Sequence, residues 1–416
     1  MTPPSPAAPS PRSVTLDGLR GIAVLAVVVE HAWHGLLPGG FAGVDVFFVL
    51  SGFLITGIVA GEVEAGGRFD PWHFYARRVR RILPASLLAV AGTVLLYLVL
   101  LGPGLPASFR DEALAAALSV SNVLFANRAV DYFAASPAGS PFLHFWSLAV
   151  EEQFYLVWPA LLLVVSLGAR RLAPGRAWAA PAVVAAIGLV SLGLAVRWNV
   201  VDAFFQLPAR AWELAAGGLL AWVRLRGRAS LPAPLRPYRW TGVLAGYVLL
   251  AVTFAAAPSL GRWPGLATVL PVAGTLLLVA GGDGMPGARI LAARPLRFFG
   301  RISYALYLWH WPLLAAVALV ALPAVVTPVP LAAAAVLVAI GLATASTVLL
   351  EEPVRNSRRP ALTGRRAVIG GLGSMAAVGV AVALVATAVP NAMAGDGLGA
   401  ALAASRTDRE RLVRDG

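Results

Sequence analysis

Arg20 and His31 lie in one apolar segment near the start of the sequence. In an α-helix, eleven residues correspond to about 16.5 Å of rise and about three turns, so the two side chains share one face. A guanidinium binds anions, and an imidazole exchanges a proton near neutral pH. The spacing therefore predicts an anion site connected along one helix to a titratable group. The structural alternative is an arginine that extends to water and a histidine hydrogen-bonded between helices.

A second candidate anion site is a group of arginines in residues 74–84. At 100° per residue, the four side chains cover an arc of about 160° on one helical face. These residues are Arg77, Arg78, Arg80 and Arg81. Planar guanidinium groups bind phosphate oxygens in pairs, which favours a phosphate-bearing ligand. The alternative is an ordinary basic anchor at a membrane surface.

Other ionisable residues lie inside apolar segments, where each is costly and indicates a functional or internally paired group. Glu151 and Glu152 are adjacent, about halfway along one such segment. Arg210 and Glu213 are three residues apart and fit a structural ion pair equally well. We interpret this set as the lining of a polar cavity inside a helix bundle. Its supporting members are Asp45, His144, Arg210, Glu213 and His310.

The elements that carry these residues must be membrane helices. The 416 residues are 59% hydrophobic and 13% charged, with a mean hydropathy of +0.78. A helix of about 20 apolar residues crosses a bilayer with its backbone groups satisfied. We therefore predict an all-α, polytopic membrane helix bundle with about eleven transmembrane helices. The predicted spans are 15–34, 41–61, 82–102, 142–167, 179–197, 206–223, 240–258, 263–281, 301–321, 329–350 and 368–390.

The basic residues orient the bundle. All 33 are arginine, and most fall on one side if the N-terminus is cytoplasmic and the C-terminus is outside. We predict a disordered cytoplasmic tail at 1–13, a membrane domain at 14–390 and an extracytoplasmic tail at 391–416, with an outside loop at 103–141. This distribution accounts for the net charge of +13, so no nucleic-acid partner is expected. The absence of cysteine excludes a thioester intermediate on the enzyme.

The motifs resemble acyltransferase family 3, the integral-membrane O-acyltransferases, over roughly residues 13–390. The resemblance rests on 16–20 followed by His31, on 43–55, and on the arginine segment that ends at Pro84. The sequence looks most like the bacterial O-antigen and peptidoglycan acetylase branch. Further matching segments are 145–159, 210–214, 301–312 and 351–355.

The resemblance implies an acyl-CoA donor, commonly acetyl-CoA, that docks from the cytoplasm of a bacterial cell. By this resemblance, His31 matches the family's essential histidine, Arg20 matches its partner, and Arg78 with Arg81 match the paired arginines before the third predicted helix. We expect the phosphates of coenzyme A to bind to Arg20, Arg77, Arg78 and Arg81. His31 would act as general base on an acceptor hydroxyl or as transient acyl carrier. Glu151 or Glu152 would orient its imidazole. The acceptor would be a cell-surface glycan or a secreted small molecule.

Many members of this branch continue into an extracytoplasmic hydrolase-like domain with a serine nucleophile. No Gly-Asp-Ser segment appears in 391–416. We therefore expect the final transfer to occur in the membrane domain, or else on an absent or separate domain to which this tail would be a linker. The competing function is a transporter or flippase for a polyprenyl-linked or anionic solute, which also needs charges inside a cavity. A purely structural scaffold would leave the buried histidines and glutamates without a role. No metal site is expected, because no suitable ligand spacing is visible.

Overall fold

The computed structural model describes residues 14–64, 69–102, 105–133, 139–173, 175–176, 178–226, 239–281, 288–321, 329–357 and 359–388. The predicted tails at 1–13 and 391–416 lie outside the described residues. The described chain is helical and contains no β-strand. This confirms the predicted all-α bundle.

Sixteen α-helices follow one another in the described residues, and a single π-turn at Thr347–Glu351 joins α14 to α15. Their bounds are α1 Val14–Ala32, α2 Gly43–Glu64, α3 Pro71–Leu101, α4 Ala107–Ala117, α5 Ser121–Asn127, α6 Phe145–Leu172, α7 Ala179–Arg197, α8 Val200–Phe205, α9 Leu207–Leu225, α10 Arg239–Ala256, α11 Val269–Gly281, α12 Ala288–Leu291, α13 Arg294–Val320, α14 Val329–Ser346, α15 Glu352–Arg355 and α16 Gly364–Ala388.

Eight helical segments in the described part of the chain are long and apolar enough to cross a membrane. They are Gly40–Glu64, Pro71–Leu101, Phe145–Leu172, Ala179–Arg197, Trp240–Leu260, Arg294–Val320, Val329–Arg355 and Gly364–Val385. The chain is therefore a multi-pass membrane protein, but the predicted count of about eleven is not confirmed. Of the other three predicted spans, α1 and α9 each carry three charged residues, and α11 has only 13 residues.

Two predicted boundaries are wrong. The arginine segment 74–81 is the first part of α3, which begins at Pro71 because the Asp70 side chain accepts a hydrogen bond from the His73 amide and caps the helix. The predicted loop at 103–141 contains α4 and α5. Both pack into the bundle beside α6, and Ser121 and Asn122 are completely buried. Helices of 11 and 7 residues lack the long apolar run that identifies a span.

Glycines allow two pairs of helices to pack at close range. On the first pair, a methyl group at Gly21 would overlap the backbone of Leu296 in α13, and one at Gly300 would overlap the backbone of Asp17 in α1. On the second pair, Gly52 of α2 and Gly217 of α9 meet the partner helix backbone in the same way. Small residues at such crossings are typical of membrane helix pairs. The contact between α1 and α13 fixes the two helices that carry the histidines and Arg20.

Candidate functional site

Arg20, Arg78 and Arg81 lie at one end of the bundle, which we call the arginine end. Arg20 Nε and Nη2 donate to the Ser303 hydroxyl across the α1–α13 contact, at 3.1 and 2.9 Å. The guanidinium carbon lies 5.6 Å from the ring centre of Phe47. Within the described residues, no carboxylate forms an ion pair with Arg20, Arg78 or Arg81. Three cations are thus held together with donors to spare for an anion.

The four arginines at the start of α3 divide into two pairs. Arg77 forms an ion pair with Glu62 at 3.6 Å, and Arg80 donates to the Ser357 carbonyl at 2.7 Å, so both bind to neighbouring parts of the bundle. The Arg78 guanidinium carbon lies 5.8 Å from the ring centres of both Phe74 and Tyr155, and its buried Nε has no hydrogen-bond partner in the described structure. Arg81 lines a cavity. The predicted anion-binding role therefore fits Arg78 and Arg81 better than Arg77.

A cavity lies between α1, α2, α3, α6 and α13, with about 650 Å³ of empty space when the open solvent at its mouth is included. Arg20 and Arg81 line one part of it, and Ser147 and Tyr307 line another. Tyr307 lies one helical turn before His310 on α13. The cavity thus leads from the arginine end towards the histidines.

Glu151 and Glu152 both line this cavity but have different partners. Glu151 accepts hydrogen bonds from the hydroxyls of Ser51 and Tyr155. Glu152 accepts one from Ser119, between α4 and α5, at 2.5 Å. Neither contact involves His31, so the geometry offers no support for either glutamate as the group that orients its imidazole.

Three buried histidines form a cluster beyond the inner part of the cavity. His31 Nδ1 lies 2.9 Å from His310 Nε2, and the two rings stack with centres 5.2 Å apart. The His144 ring lies 5.8 Å from that of His310. Trp311 packs its edge against His31 at 4.6 Å. The structure thus brings together three histidines that are far apart in the sequence.

The hydrogen bonds fix the tautomers of two rings. His310 Nδ1 faces the Leu306 carbonyl at 3.1 Å, and a carbonyl only accepts, so this nitrogen carries the proton. In neutral His310, Nε2 therefore accepts from His31 Nδ1–H. The free lone pair of neutral His31 is then on Nε2. That nitrogen lies 2.9 Å from the hydroxyl of Tyr132, which donates to it.

Sequence reasoning missed two residues at this nitrogen. Tyr132 belongs to the irregular segment after α5, where no periodicity indicated its position. Glu30 places Oε2 3.2 Å from His31 Nε2, so it is the carboxylate beside the imidazole. The sequence contains a signal for Glu30, because an acidic residue next to a histidine in an apolar helix needs a partner.

One protein-family model matches the sequence over a long continuous range. The acyltransferase domain model covers residues 14–348, which is most of the sequence and includes every candidate site residue. The chain belongs to this acyltransferase family.

Three curated relatives are similar to the chain over most of its length. The chain is 34% identical to the peptidoglycan O-acetyltransferase OatA of Listeria monocytogenes over 319 residues, which is 72% of this chain and 49% of the relative. It is 35% identical to the putative peptidoglycan O-acetyltransferase YrhL of Bacillus subtilis, over 72% of this chain and 48% of the relative. It is 31% identical to the O-acetyltransferase OatA of Staphylococcus aureus, over 73% of this chain and 51% of the relative. The chain thus spans about half the length of the curated relatives it matches. No solved structure gives a significant match.

A second buried polar group in this acyltransferase-family chain joins α2 to α9. Arg210 forms ion pairs with Asp45 at 2.7 Å and with Glu213 at 3.1 Å, and all three side chains are almost completely buried. The guanidinium also packs against the rings of Phe48, Trp146 and Phe204. These contacts favour the structural interpretation of the Arg210–Glu213 spacing, since they tie two helices together.

His144 was predicted to support the cavity, but neither it nor Asp45, Arg210, Glu213 or His310 is among the residues that line the cavity in the structure. His144 Nε2 donates to the Leu308 carbonyl at 3.1 Å, and its own carbonyl accepts from the Tyr307 hydroxyl. The Tyr307 hydroxyl also lies 2.7 Å from that of Ser147. His144 thus connects the histidine cluster to the cavity wall. In the described residues of this acyltransferase-family chain, no group of three or more acidic, histidine or cysteine side chains is arranged to hold a metal ion.

Proposed function

We propose that the chain is a membrane O-acyltransferase that takes an acyl group, most simply acetyl, from acyl-CoA on the cytoplasmic side. It passes the group to a hydroxyl of a cell-surface glycan on the other side. The observation that carries the proposal is the cavity that runs from a cluster of arginines towards a buried histidine cluster. Family membership and the names of the relatives support the reaction class and a glycan acceptor.

In this proposal the arginine end faces the cytoplasm. The guanidinium groups of Arg20, Arg78 and Arg81 bind the phosphates of coenzyme A, because phosphate oxygens satisfy donors that have few partners within the described bundle. The thin pantetheine arm occupies the cavity, and the thioester approaches the histidines. Arg77 and Arg80 hold α3 in place from outside the cavity.

His31 acts as the general base. Its Nε2 lone pair faces the Tyr132 hydroxyl at 2.9 Å, so an acceptor hydroxyl that replaced this contact would lie at the distance at which a base removes a proton. The acceptor oxygen attacks the thioester carbonyl, the C–S bond breaks, and the electron pair leaves on sulfur. The acceptor proton moves to His31 Nε2, and the coenzyme A thiolate takes a proton from water. His310 holds the imidazole through Nδ1 throughout.

The test is release of free coenzyme A by purified protein in nanodiscs, with acetyl-CoA as donor. We expect His31→Ala to lower kcat by a factor of about 10² to 10⁴, the range for loss of a general base, with little change in acetyl-CoA binding. The exposed Arg171 provides a matched control at the end of α6, and Arg171→Gln should retain the wild-type rate.

Two results would contradict the proposal. Full turnover in His31→Ala would exclude His31 as the base. Failure of the wild type to bind acetyl-CoA would favour the competing transporter function, which needs the same cavity and cations but no thioester.

A further inference from the structure

We propose that Glu30 passes the proton of the reaction between His31 and the aqueous surface, with His34 as the exposed end of the path. This inference rests on the proposed function of His31 and extends it to residues that neither the family match nor the names of the relatives assign. Glu30 has one carboxylate oxygen directed at each histidine. Oε2 lies 3.2 Å from His31 Nε2, and Oε1 lies 3.1 Å from His34 Nδ1.

Only one nitrogen of His31 is free to exchange a proton. Nδ1 is held by His310, whose other nitrogen donates to a backbone carbonyl. Proton transfer into that side would end at the Leu306 carbonyl, which accepts but does not carry a proton onward. Trp311 covers another side of the ring and donates its own N–H to the Ser140 carbonyl. The proton that His31 Nε2 gains must therefore leave past Glu30 or Tyr132.

Exposure increases along the proposed path. The side chain of His31 is 4% exposed, that of Glu30 is 14% exposed and that of His34 is 62% exposed. Tyr132 is half-buried as well, but a phenol does not readily give up a proton near neutral pH, and its ring is held by stacking on Phe204 at 4.6 Å and by packing against Trp146. Of the two neighbours of Nε2, Glu30 is thus the one that contacts an exposed titratable side chain.

The buried oxygen of Glu30 also lacks a hydrogen bond in the described structure. A carboxylate oxygen without a donor is costly to bury, whereas a proton on His31 Nε2 would supply the donor. Glu30 therefore stabilises the imidazolium that forms when His31 takes the acceptor proton. Glu30 Oε2 lacks a hydrogen-bond donor while His31 is neutral, and it gains one when His31 Nε2 is protonated.

The proton balance follows from these contacts. The acceptor O–H bond breaks, and its proton forms an N–H bond on His31 Nε2. That proton moves to Glu30 Oε2, giving a neutral carboxyl group and a neutral imidazole. The carboxyl group then rotates about its Cγ–Cδ bond, the same proton moves from it to His34 Nδ1, and His34 releases a proton to water. One proton leaves at this surface, and the coenzyme A thiolate takes one from water at the arginine end.

The experiment is chemical rescue of acetyl-CoA turnover in nanodiscs. Glu30→Ala removes the carboxylate and leaves a partly exposed space beside His31 that formate can enter. We expect kcat to fall by a factor of about 10 to 100, as for a general acid–base partner, with the KM for acetyl-CoA unchanged. Added formate should restore the rate in proportion to its concentration, and chloride at equal ionic strength should not. Rescue by formate would not follow from a purely structural role of Glu30.

Three further variants test whether the effects are specific to the proposed proton path. Glu64→Gln removes another partly exposed carboxylate, one that pairs with Arg226 and Trp222 away from the histidines, and should leave kcat and the formate response unchanged. His34 lies beyond the end of α1. His34→Ala should make the rate depend on buffer concentration, because a buffer molecule must then take the proton that His34 carried. His31→Ala should be inactive with or without formate.

The inference is overturned by a Glu30→Ala enzyme that keeps the wild-type kcat, or by one that is folded and slow but insensitive to formate. Folding is checked by a single symmetric peak in size-exclusion chromatography. If instead His31→Ala retains activity, the proposed function itself fails, so the two failures are distinguishable.

Discussion

The arginine end and the histidine cluster of this bundle are built in opposite ways. At the arginine end, Arg20 and Arg81 line an open cavity, and Arg78 Nε is buried without a hydrogen-bond partner in the described structure. In the cluster, both ring nitrogens of His31 and of His310 are hydrogen-bonded, and Trp311 packs against the ring of His31. Open donors suit a bound anion, whereas a fixed tautomer suits proton transfer.

The contrast shows how one pair of helices can carry two functions. α1 supplies Arg20 and His31, and α13 supplies their partners Ser303 and His310. Any shift of α1 against α13 would therefore change the anion site and the tautomer together. The glycines between the two helices are what keep this register, since a larger residue would force them apart.

The largest expected effect is on this shared contact. Gly300→Ala should lower the free energy of unfolding by about 1–3 kcal/mol, because the added methyl group overlaps the Asp17 backbone, which cannot move aside. Both acetyl-CoA binding and turnover should fall. Gly341→Ala is the matched control, since nothing lies within 4 Å of its added methyl group. There we expect unchanged or higher stability by up to about 1 kcal/mol, from improved helix propensity.

Thermal unfolding in detergent, followed by tryptophan fluorescence, measures both glycine variants. If Gly300→Ala unfolds no earlier than the wild type, the close contact between α1 and α13 does not position the site. If it weakens turnover but not acetyl-CoA binding, the two ends do not depend on one shared register.

The second prediction separates the two pairs of arginines on α3. Arg78→Gln should raise the KM for acetyl-CoA by about 10-fold to 100-fold, the effect of losing a charge-assisted hydrogen bond, with a smaller change in kcat. Arg80→Gln is its neighbour in the sequence but binds the Ser357 carbonyl, so its KM should stay within about threefold of the wild type. Steady-state kinetics of coenzyme A release gives both values. Equal effects of the two substitutions would mean that the whole basic face acts as a surface anchor.

Sequence reasoning succeeded where helical geometry connects residues. Arg20 and His31 lie on one helix, so their spacing alone predicted a linked anion site and imidazole. Arg78 and Arg81 were placed on one face for the same reason, and α3 confirms a helix there. The function of each of these residues remains a prediction.

The same reasoning failed where contacts depend on tertiary packing. Tyr132 follows a short helix in a segment predicted to be a loop, and only the fold brings it to His31, 101 residues away. Glu151 and Glu152 were expected to orient His31 because they are buried carboxylates, but side-chain direction decides their partners, and these are hydroxyl groups. Glu30 lies next to His31 in the sequence, yet neighbours on a helix point about 100° apart, so their contact could not be assumed.

The smallest expected effect is on the titration of His34, which lies beyond the end of α1. Its hydrogen bond to Glu30 is the main cause that raises the pKa of His34 above its ordinary value of 6.5, against a smaller opposing effect of burial. Because the folded-state pKa is raised, the stabilisation from the charged pair is fully present below pH 6.5 and is lost as the pH rises through the folded-state pKa. Glu30→Gln should return the pKa towards 6.5. NMR of ¹³C-labelled histidine in nanodiscs measures the shift, and a His34 pKa that is unchanged by Glu30→Gln would show that the two side chains do not interact in the membrane.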